Sequence, residues 1–477
     1  MLKHEVAQQL FINGKWKAGS DFYDLTSPYS KKMIASVPLA NETDVEAAIK
    51  SAHKGAEQMR QLTSLERSEI LEKVSTIFKE KAEQAAEILA LECAKPIKDA
   101  RAEISRTIET YKFASEEAKR IHGEIIPMDA AKNGKGRLAF TVREPLGTIA
   151  AITPFNFPFN LVAHKLGPAF AAGNSVILKP ATQTPLSALF TARAFEEAGL
   201  PAGALNVVTG KGSVIGNQLV KDSRIKMITF TGSLEVGLDI KRQSGLKKVT
   251  LELGSNSAVI VDSVEHLGDV VERCIQGAFS YAGQVCISVQ RIYVQKELYH
   301  LFLEKFIEKA KRLIIADPLL ESTDLSSMIN ISEAERVEKW IHEAVEAGAK
   351  VVCGGQREGA ILQPTVITEA KQTLPLNCKE AFAPIVTITP YEQLEEAITL
   401  VNNSEYGLQA GVYTTSIRKA FYATENLQVG GVMINDIPTY RVDQMPYGGV
   451  KNSGTGREGI KYSIDEMTEL KLVNFKL

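Results

Sequence analysis

Cysteine is scarce in this 477-residue chain: Cys93, Cys274, Cys286, Cys353 and Cys378 are scattered singly, with no C-x-x-C pair. That pattern excludes a disulfide framework or a zinc cage, and no metal site is expected. Net charge is scarce too. With 55 Lys and Arg against 57 Asp and Glu, the formal charge of -2 gives no electrostatic ground for a nucleic acid or an anionic membrane as partner. No run of about 18 apolar residues is present to span a bilayer, and no opening segment reads as a secretory leader. The expectation is a cytoplasmic protein. Low-complexity tracts and internal repeats are also missing, which excludes a linker or a repeat array.

What is present is a globular composition, 44% hydrophobic and 23% charged, on a chain long enough for two domains or more. "LFINGKW" reads as a hairpin turning at Asn13-Gly14. Asn41 to Glu117 carries helical periodicity with many Glu, Lys and Arg, as amphipathic helices do. From Leu146 short apolar runs ("GTIAAITP", "NSVILKP", "ALNVVTG", "MITFTGS") alternate with helix-like stretches. That alternation predicts parallel βαβ units in a doubly wound, nucleotide-binding domain. A second series, "SAVIVD", "RIYVQ", "AKVVCGG" and "APIVTITPY", predicts a second α/β domain. Two lysine- and arginine-bearing ribbons, "NGKGRLAFTVREPLG" and "TELKLVNFKL", have the look of unpaired edges that join between subunits of an oligomer.

"VVTGKGSVIG" sets Gly210, Gly212 and Gly216 between a strand and a helix, where backbone approaches a pyrophosphate at a helix N-terminus. The spacing is one residue longer than the usual fingerprint, and a tight structural turn explains it equally. "FTGSLEVG" is a second strand-to-helix turn with Gly232 and Ser233, and two such turns in one sheet favour a dinucleotide.

"ITPFNFP", "LKPATQTP", "ITFTGS", "LELG", "GQVC", "EAFAP" and "MPYGGVKNSGTGREG" occur in the order and spacing of the NAD(P)-dependent aldehyde dehydrogenase superfamily, which the chain resembles from "FINGKW" to its last strand. Within it the chain is similar to lactaldehyde, non-phosphorylating glyceraldehyde-3-phosphate and phosphonoacetaldehyde dehydrogenases. The resemblance implies the aldehyde dehydrogenase fold. This has a Rossmann-like cofactor domain (1–126 and 146–253), a second α/β catalytic domain (254–445), and a small β oligomerisation ribbon with a C-terminal segment (127–145 and 446–477). A homo-oligomer, dimer or tetramer, is expected.

Aldehyde oxidation by hydride transfer needs a tetrahedral adduct, which a thiolate supplies. Cys286 matches the family's nucleophile, and the other cysteines read as small buried hydrophobes. Asn156 matches the amide that binds the oxyanion with the Cys286 N–H, although an asparagine between prolines also suits a turn. Glu252 matches the base that activates water against the thioester, which implies a free acid as product. Lys165 matches a proton-relay lysine, with a lysine capping a surface helix as the alternative. For NAD or NADP, Lys179 matches the adenosine-ribose contact, Glu380 the nicotinamide-ribose contact with Phe382 beside it, and Ser233 the phosphate contact. Thr153, Pro154, Phe155, Gly212, Phe230, Gly232 and Leu253 fall at the remaining cofactor positions. Thr182 stands where NAD-preferring relatives carry a glutamate, so NADP is permitted. Ser255 replaces the second glycine after Glu-Leu-Gly; were positive φ required there, it would be strained.

Arg106 and Arg441 match arginines that relatives place around phosphorylated or phosphonylated aldehydes, and forked donors suit phosphate, sulfonate or carboxylate. Structural salt bridges are the alternative. Val285 stands where several of those relatives have a third arginine, which leans towards lactaldehyde-type enzymes. The expected substrate is a small hydroxylated or anionic aldehyde such as lactaldehyde, 3-sulfolactaldehyde or glyceraldehyde 3-phosphate, with phosphonoacetaldehyde or a semialdehyde as alternatives. A cysteine esterase and a non-catalytic structural protein on the same fold are rivals of another class.

Overall fold

The computed structural model describes residues 7–477; residues 1–6 of the expected first domain lie outside them. Asn13 and Gly14 take φ of 56° and 67°, the backbone of a two-residue turn whose twist suits a hairpin. Leu10–Ile12 accordingly pairs antiparallel with Lys15–Lys17. Helices Glu42–Gln61, Ser64–Glu80, Ala82–Cys93 and Ile97–Ala118 follow. The first two open on capping boxes, Asn41 with Asp44 and Thr63 with Glu66, each cap worth about 1 kcal/mol. Their apolar faces close over Phe78, Tyr111, Phe159 and Phe195, all buried in one core.

The first sheet has five central parallel strands in the order Leu205–Val207, Ser175–Lys179, Thr148–Ile152, Ile225–Thr231 and Lys248–Glu252. The hairpin extends one edge and Gly454–Thr455 the other. Helices cover both faces, which is why Thr148–Ile152 is buried at every residue. Strand order reverses between Thr148–Ile152 and Ile225–Thr231. At such a reversal the chain leaves neighbouring strands in opposite directions and opens a crevice at their carboxyl ends. Thr153 to Asn156 leave one of these strands, and Gly232 and Ser233 the other.

The second sheet runs Lys350–Cys353, Thr365–Thr368, Ile385–Tyr391, Arg291–Gln295, Ala258–Val261, Gln409–Tyr413 and Gly431–Ile434, parallel except for its first pair. It offers the crevice the opposite ends of its strands: Cys286 lies just before Arg291–Gln295, and Glu380 just before Ile385–Tyr391. Carboxyl ends of one sheet thus face amino ends of the other.

The two ribbons expected to pair between subunits pair with each other within the chain. Arg137–Pro145 and Thr468–Lys476 are antiparallel over their whole length, with Ile125–Ile126 on the far side. Among the described residues the outer edge of Thr468–Lys476 stays unpaired, with Leu470, Leu472 and Phe475 exposed. Among the described residues no helix is long and apolar enough to cross a membrane, and no cluster of His, Cys, Asp and Glu could hold a metal ion.

Candidate active site

Cys286 follows a strained turn. After the helix Leu267–Phe279, Tyr281 and Ala282 both adopt left-handed backbone, with φ of 48° and 53°, at about 1–3 kcal/mol each. Their surroundings hold them there. Tyr281 Oη donates to the Cys93 carbonyl at 3.1 Å, and the Ile329 N–H donates to Gln284 Oε1 at 2.9 Å. Asn156 Nδ2 donates to the Gln284 carbonyl at 3.0 Å. That bond ties the loop from the first sheet to the cysteine loop of the second and leaves the other N–H of the amide available. Cys286 itself is half-buried, its Sγ 2.8 Å from the hydroxyl of Tyr447. Burial pushes its thiol up to about 12, against the lowering pull of Tyr447 and Arg441. The remaining cysteines are free.

Two cavities meet at this sulfur. One, of about 310 Å³, is walled by Pro154, Phe155, Asn156, Gly232, Ser233, Glu252, Leu253, Glu380 and Phe382 together with Cys286. The other, of about 260 Å³, is walled by Arg106, Arg441, Tyr447, Val285, Phe157 and Cys286. A further cleft of about 430 Å³ runs over Lys179, Gly212 and Gly216. The first cavity and this cleft fit a dinucleotide. Glycines leave their floors open, and burial lowers Lys179 to about 8 while its ammonium faces the cleft. Gly232 has a steric reason: a Cβ there would stand 2.5 Å from Phe230 Cζ. Thr182 follows Lys179 as a half-buried hydroxyl bonded to the Gly210 carbonyl at 3.3 Å.

Glu252 ends its strand 3% exposed, and neither carboxylate oxygen has a hydrogen-bond partner among the described residues. Desolvation, reinforced by the nearby Glu458 charge, raises its carboxyl well above the ordinary range. Glu380, half-buried in the cavity wall, is pushed up by desolvation to about 7 and accepts the Ser255 N–H at 3.0 Å. The strain expected at Ser255 is not present. Its φ is not positive, and its hydroxyl bonds Ser257 Oγ at 3.0 Å, so the loop takes serine without cost.

Burial and hydrogen bonding place the other expected residues. Lys165 does not cap a surface helix. It is 1% exposed and binds Thr229 Oγ1 at 3.1 Å and Glu458 Oε1 at 3.2 Å, and it lines neither cavity at Cys286. Thr153 and Phe230 lie beneath the cofactor wall: the Thr153 N–H donates to the Lys179 carbonyl, and the Phe230 ring supports Gly232. Arg106 and Arg441 are both cavity residues and ion-pair partners. Arg106 reaches Asp443 at 2.7 Å and Arg441 reaches Glu458 at 3.0 Å, while the Nε of each is buried with no partner among the described residues.

Sequence reading passed over several residues. Tyr447 lies in "MPYGG", a stretch whose glycines and proline read as a turn. Asp443 joins Arg106 to His164, whose Nε2 is 2.8 Å away. Lys95, 1% exposed, pairs with Glu103, donates to the Asn156 carbonyl at 2.7 Å, and sits 3.8 Å and 4.5 Å from the ring centroids of Phe157 and Tyr281. A lysine in an otherwise small-residue "ECAKP" was the available signal.

The model of the Aldehyde dehydrogenase family matches residues 16–473. The chain is 46% identical over 468 residues to a 3-sulfolactaldehyde dehydrogenase of Priestia megaterium, covering 98% of each. It is 42% identical over 469 residues to a lactaldehyde dehydrogenase of Methanocaldococcus jannaschii, covering 97% of this chain and 99% of the other. Among solved structures it resembles a glyceraldehyde-3-phosphate dehydrogenase of Methanocaldococcus jannaschii complexed with NADP. That pair has a TM-score of 0.92 and 40% identity, over 96% of this chain and 100% of the other. It also resembles aldehyde dehydrogenase 21 of Physcomitrella patens in complex with the reaction product succinate, at a TM-score of 0.97 and 41% identity over 98% of each chain. With the two-sheet architecture and a cysteine between two cavities, these full-length matches establish that the chain belongs to the aldehyde dehydrogenase family.

Proposed function

We propose that the protein oxidises a small hydroxylated aldehyde with an anionic tail, of the 3-sulfolactaldehyde or glyceraldehyde 3-phosphate type, to the free acid, with lactaldehyde as the uncharged counterpart. The observation that carries this reading is the position of Cys286 between a glycine-floored cavity suited to a dinucleotide and a cavity bearing Arg106 and Arg441. Each guanidinium pairs one terminal nitrogen with a carboxylate, and a five-donor fork has further N–H groups to offer an anion after that pairing. The relatives that act on sulfolactaldehyde and lactaldehyde support the same substrate class.

NAD or NADP, held by Lys179, Gly212, Gly232, Ser233 and Glu380, supplies the hydride acceptor. The chain's own residues do the rest. Cys286 adds to the carbonyl carbon, and the free N–H of Asn156 with the Cys286 backbone N–H meets the oxygen as charge develops, each donor worth about 2–4 kcal/mol. Loss of hydride from that carbon leaves a thioester. Glu252 then takes a proton from water, the water oxygen bonds to the acyl carbon, the C–S bond breaks, and sulfur leaves as thiolate. Lys165 and Arg441 flank Glu458 and keep it ionised, so its negative charge helps hold the Glu252 carboxyl neutral until pH rises.

We further infer a homo-oligomer, dimer or tetramer, built on the free edge of Thr468–Lys476 and its exposed Leu470, Leu472 and Phe475. Five free thiols suit the reducing cytoplasm. The test is reduction of NAD+ and NADP+ by purified protein with sulfolactaldehyde, glyceraldehyde 3-phosphate, lactaldehyde, phosphonoacetaldehyde, succinic semialdehyde and hexanal. Activity should vanish in Cys286→Ala, and Arg441→Met should raise KM for the anionic aldehydes more than for lactaldehyde. Faster oxidation of hexanal than of all the others would overturn the anionic pocket.

A further inference from the structure

We propose that Tyr447 is a catalytic residue, donating its phenolic hydrogen to the Cys286 sulfur and so favouring the thiolate; this rests on the reading of Cys286 as the nucleophile. The contact is short, 2.8 Å from oxygen to sulfur, and among the described residues the hydroxyl has no other hydrogen bond. Its position is fixed from both ends. The Tyr447 N–H donates to the Glu458 carbonyl at 3.0 Å, and the Glu458 N–H returns the bond at 2.7 Å. The ring itself is buried with Ile287 and Leu408. A phenol held this way cannot turn to another acceptor.

The direction of donation follows from the surroundings. Burial raises the Tyr447 hydroxyl well above its ordinary value, so it keeps its proton throughout the working range. The Arg441 guanidinium lies 3.7 Å from the ring centroid. A cation on the face of a phenol withdraws electron density and strengthens the O–H as a donor. Around the sulfur, Tyr447 and Arg441 favour the anion, whereas Glu252 at the end of a first-sheet strand and Glu380 just before a second-sheet strand oppose it, as does burial. Among the described residues no imidazole lines either cavity, so the imidazolium that commonly activates a cysteine is not at hand. The phenol takes that place, without carrying a charge of its own.

The test is Tyr447→Phe, which keeps the ring and its stack under Arg441 and deletes only the hydroxyl. Alkylation of Cys286 by iodoacetamide is followed by mass spectrometry of the modified peptide across the neutral and alkaline range, with cofactor binding as the check that the site has folded. Losing a hydrogen bond to an anion should lower the thiolate population about tenfold at a given pH. Because a more basic thiolate is intrinsically more reactive, alkylation should slow by about threefold. Profiles that superimpose, or a faster Tyr447→Phe, would overturn the proposal. If that variant fails to bind cofactor, fluorotyrosine at the tyrosine positions replaces it. Its more acidic phenol should speed ionisation of Cys286, and no change would overturn the proposal equally. Alkylation of Cys286 that leaves dehydrogenase activity intact would instead overturn the nucleophile reading, a separate outcome.

Discussion

Lys95→Met removes the charge that ties the Asn156 loop to its foundation. Lys95 and Glu103 are an ion pair with side chains 1% and 0% exposed. Methionine fills a similar volume, so the cost is electrostatic rather than a cavity. Breaking a buried pair by deleting one partner costs about 3–5 kcal/mol, because the other charge is stranded. Glu103 retains the N–H groups of Phe159 and Asn160, at 3.0 Å and 3.2 Å, which sets the expected loss near the low end, about 3 kcal/mol. The assay is urea unfolding followed by tryptophan fluorescence: Trp16 packs on the core containing Phe78, and Trp340 on that of the second sheet, so each core has its own reporter. The Trp16 transition should move and the Trp340 transition should hold. Adding Glu103→Gln, which removes the stranded charge, should make the double variant more stable than Lys95→Met alone. Single costs that merely add would refute the reasoning. Because the Asn156 carbonyl also loses its donor, kcat should fall while KM for the cofactor stays unchanged.

Glu252→Gln should give one burst of reduced cofactor per site and then stall, with turnover down about 10²–10⁴-fold, read by stopped-flow absorbance. In the wild type the Glu252 carboxyl is raised, so the carboxylate form grows with pH and deacylation should climb from neutral to alkaline pH. By linkage the same shift makes stability fall as pH rises above the unfolded-state value, since the native state holds a proton that the unfolded state has lost; Glu252→Gln should flatten that slope in unfolding titrations. Gly232→Ala brings a Cβ to 2.5 Å from the Phe230 ring, and should weaken cofactor binding about tenfold through a strained floor of about 1–3 kcal/mol, measured by fluorescence titration. Thr182→Glu adds a negative charge three residues after Lys179, and should shift the preference from NADP towards NAD by about tenfold, read as the ratio of kcat/KM values.

The strands of both sheets were legible because buried parallel strands are continuous apolar runs, and "TIAAI" or "AVIV" admit little else. Cys286, Asn156 and Glu252 were legible through motifs, and the structure brings all three to one cavity. What sequence withheld was pairing across long separations. Nothing local to "TELKLVNFKL" tells that its partner is Arg137–Pro145 rather than another subunit. Tyr447 meets Cys286 across a separation of 161 residues, and buried Lys165 meets Glu458 across 293. The concern over Ser255 came from reading a glycine as a backbone requirement, when the local φ allows a side chain.

Glu252 walls the cofactor cavity and not the one containing the two arginines. On the mechanism proposed above, the water that Glu252 activates would arrive through the space that the cofactor needs for oxidation. The two would then have to take turns, and a molecule lodged there after the first half-reaction would be expected to trap the enzyme as its thioester.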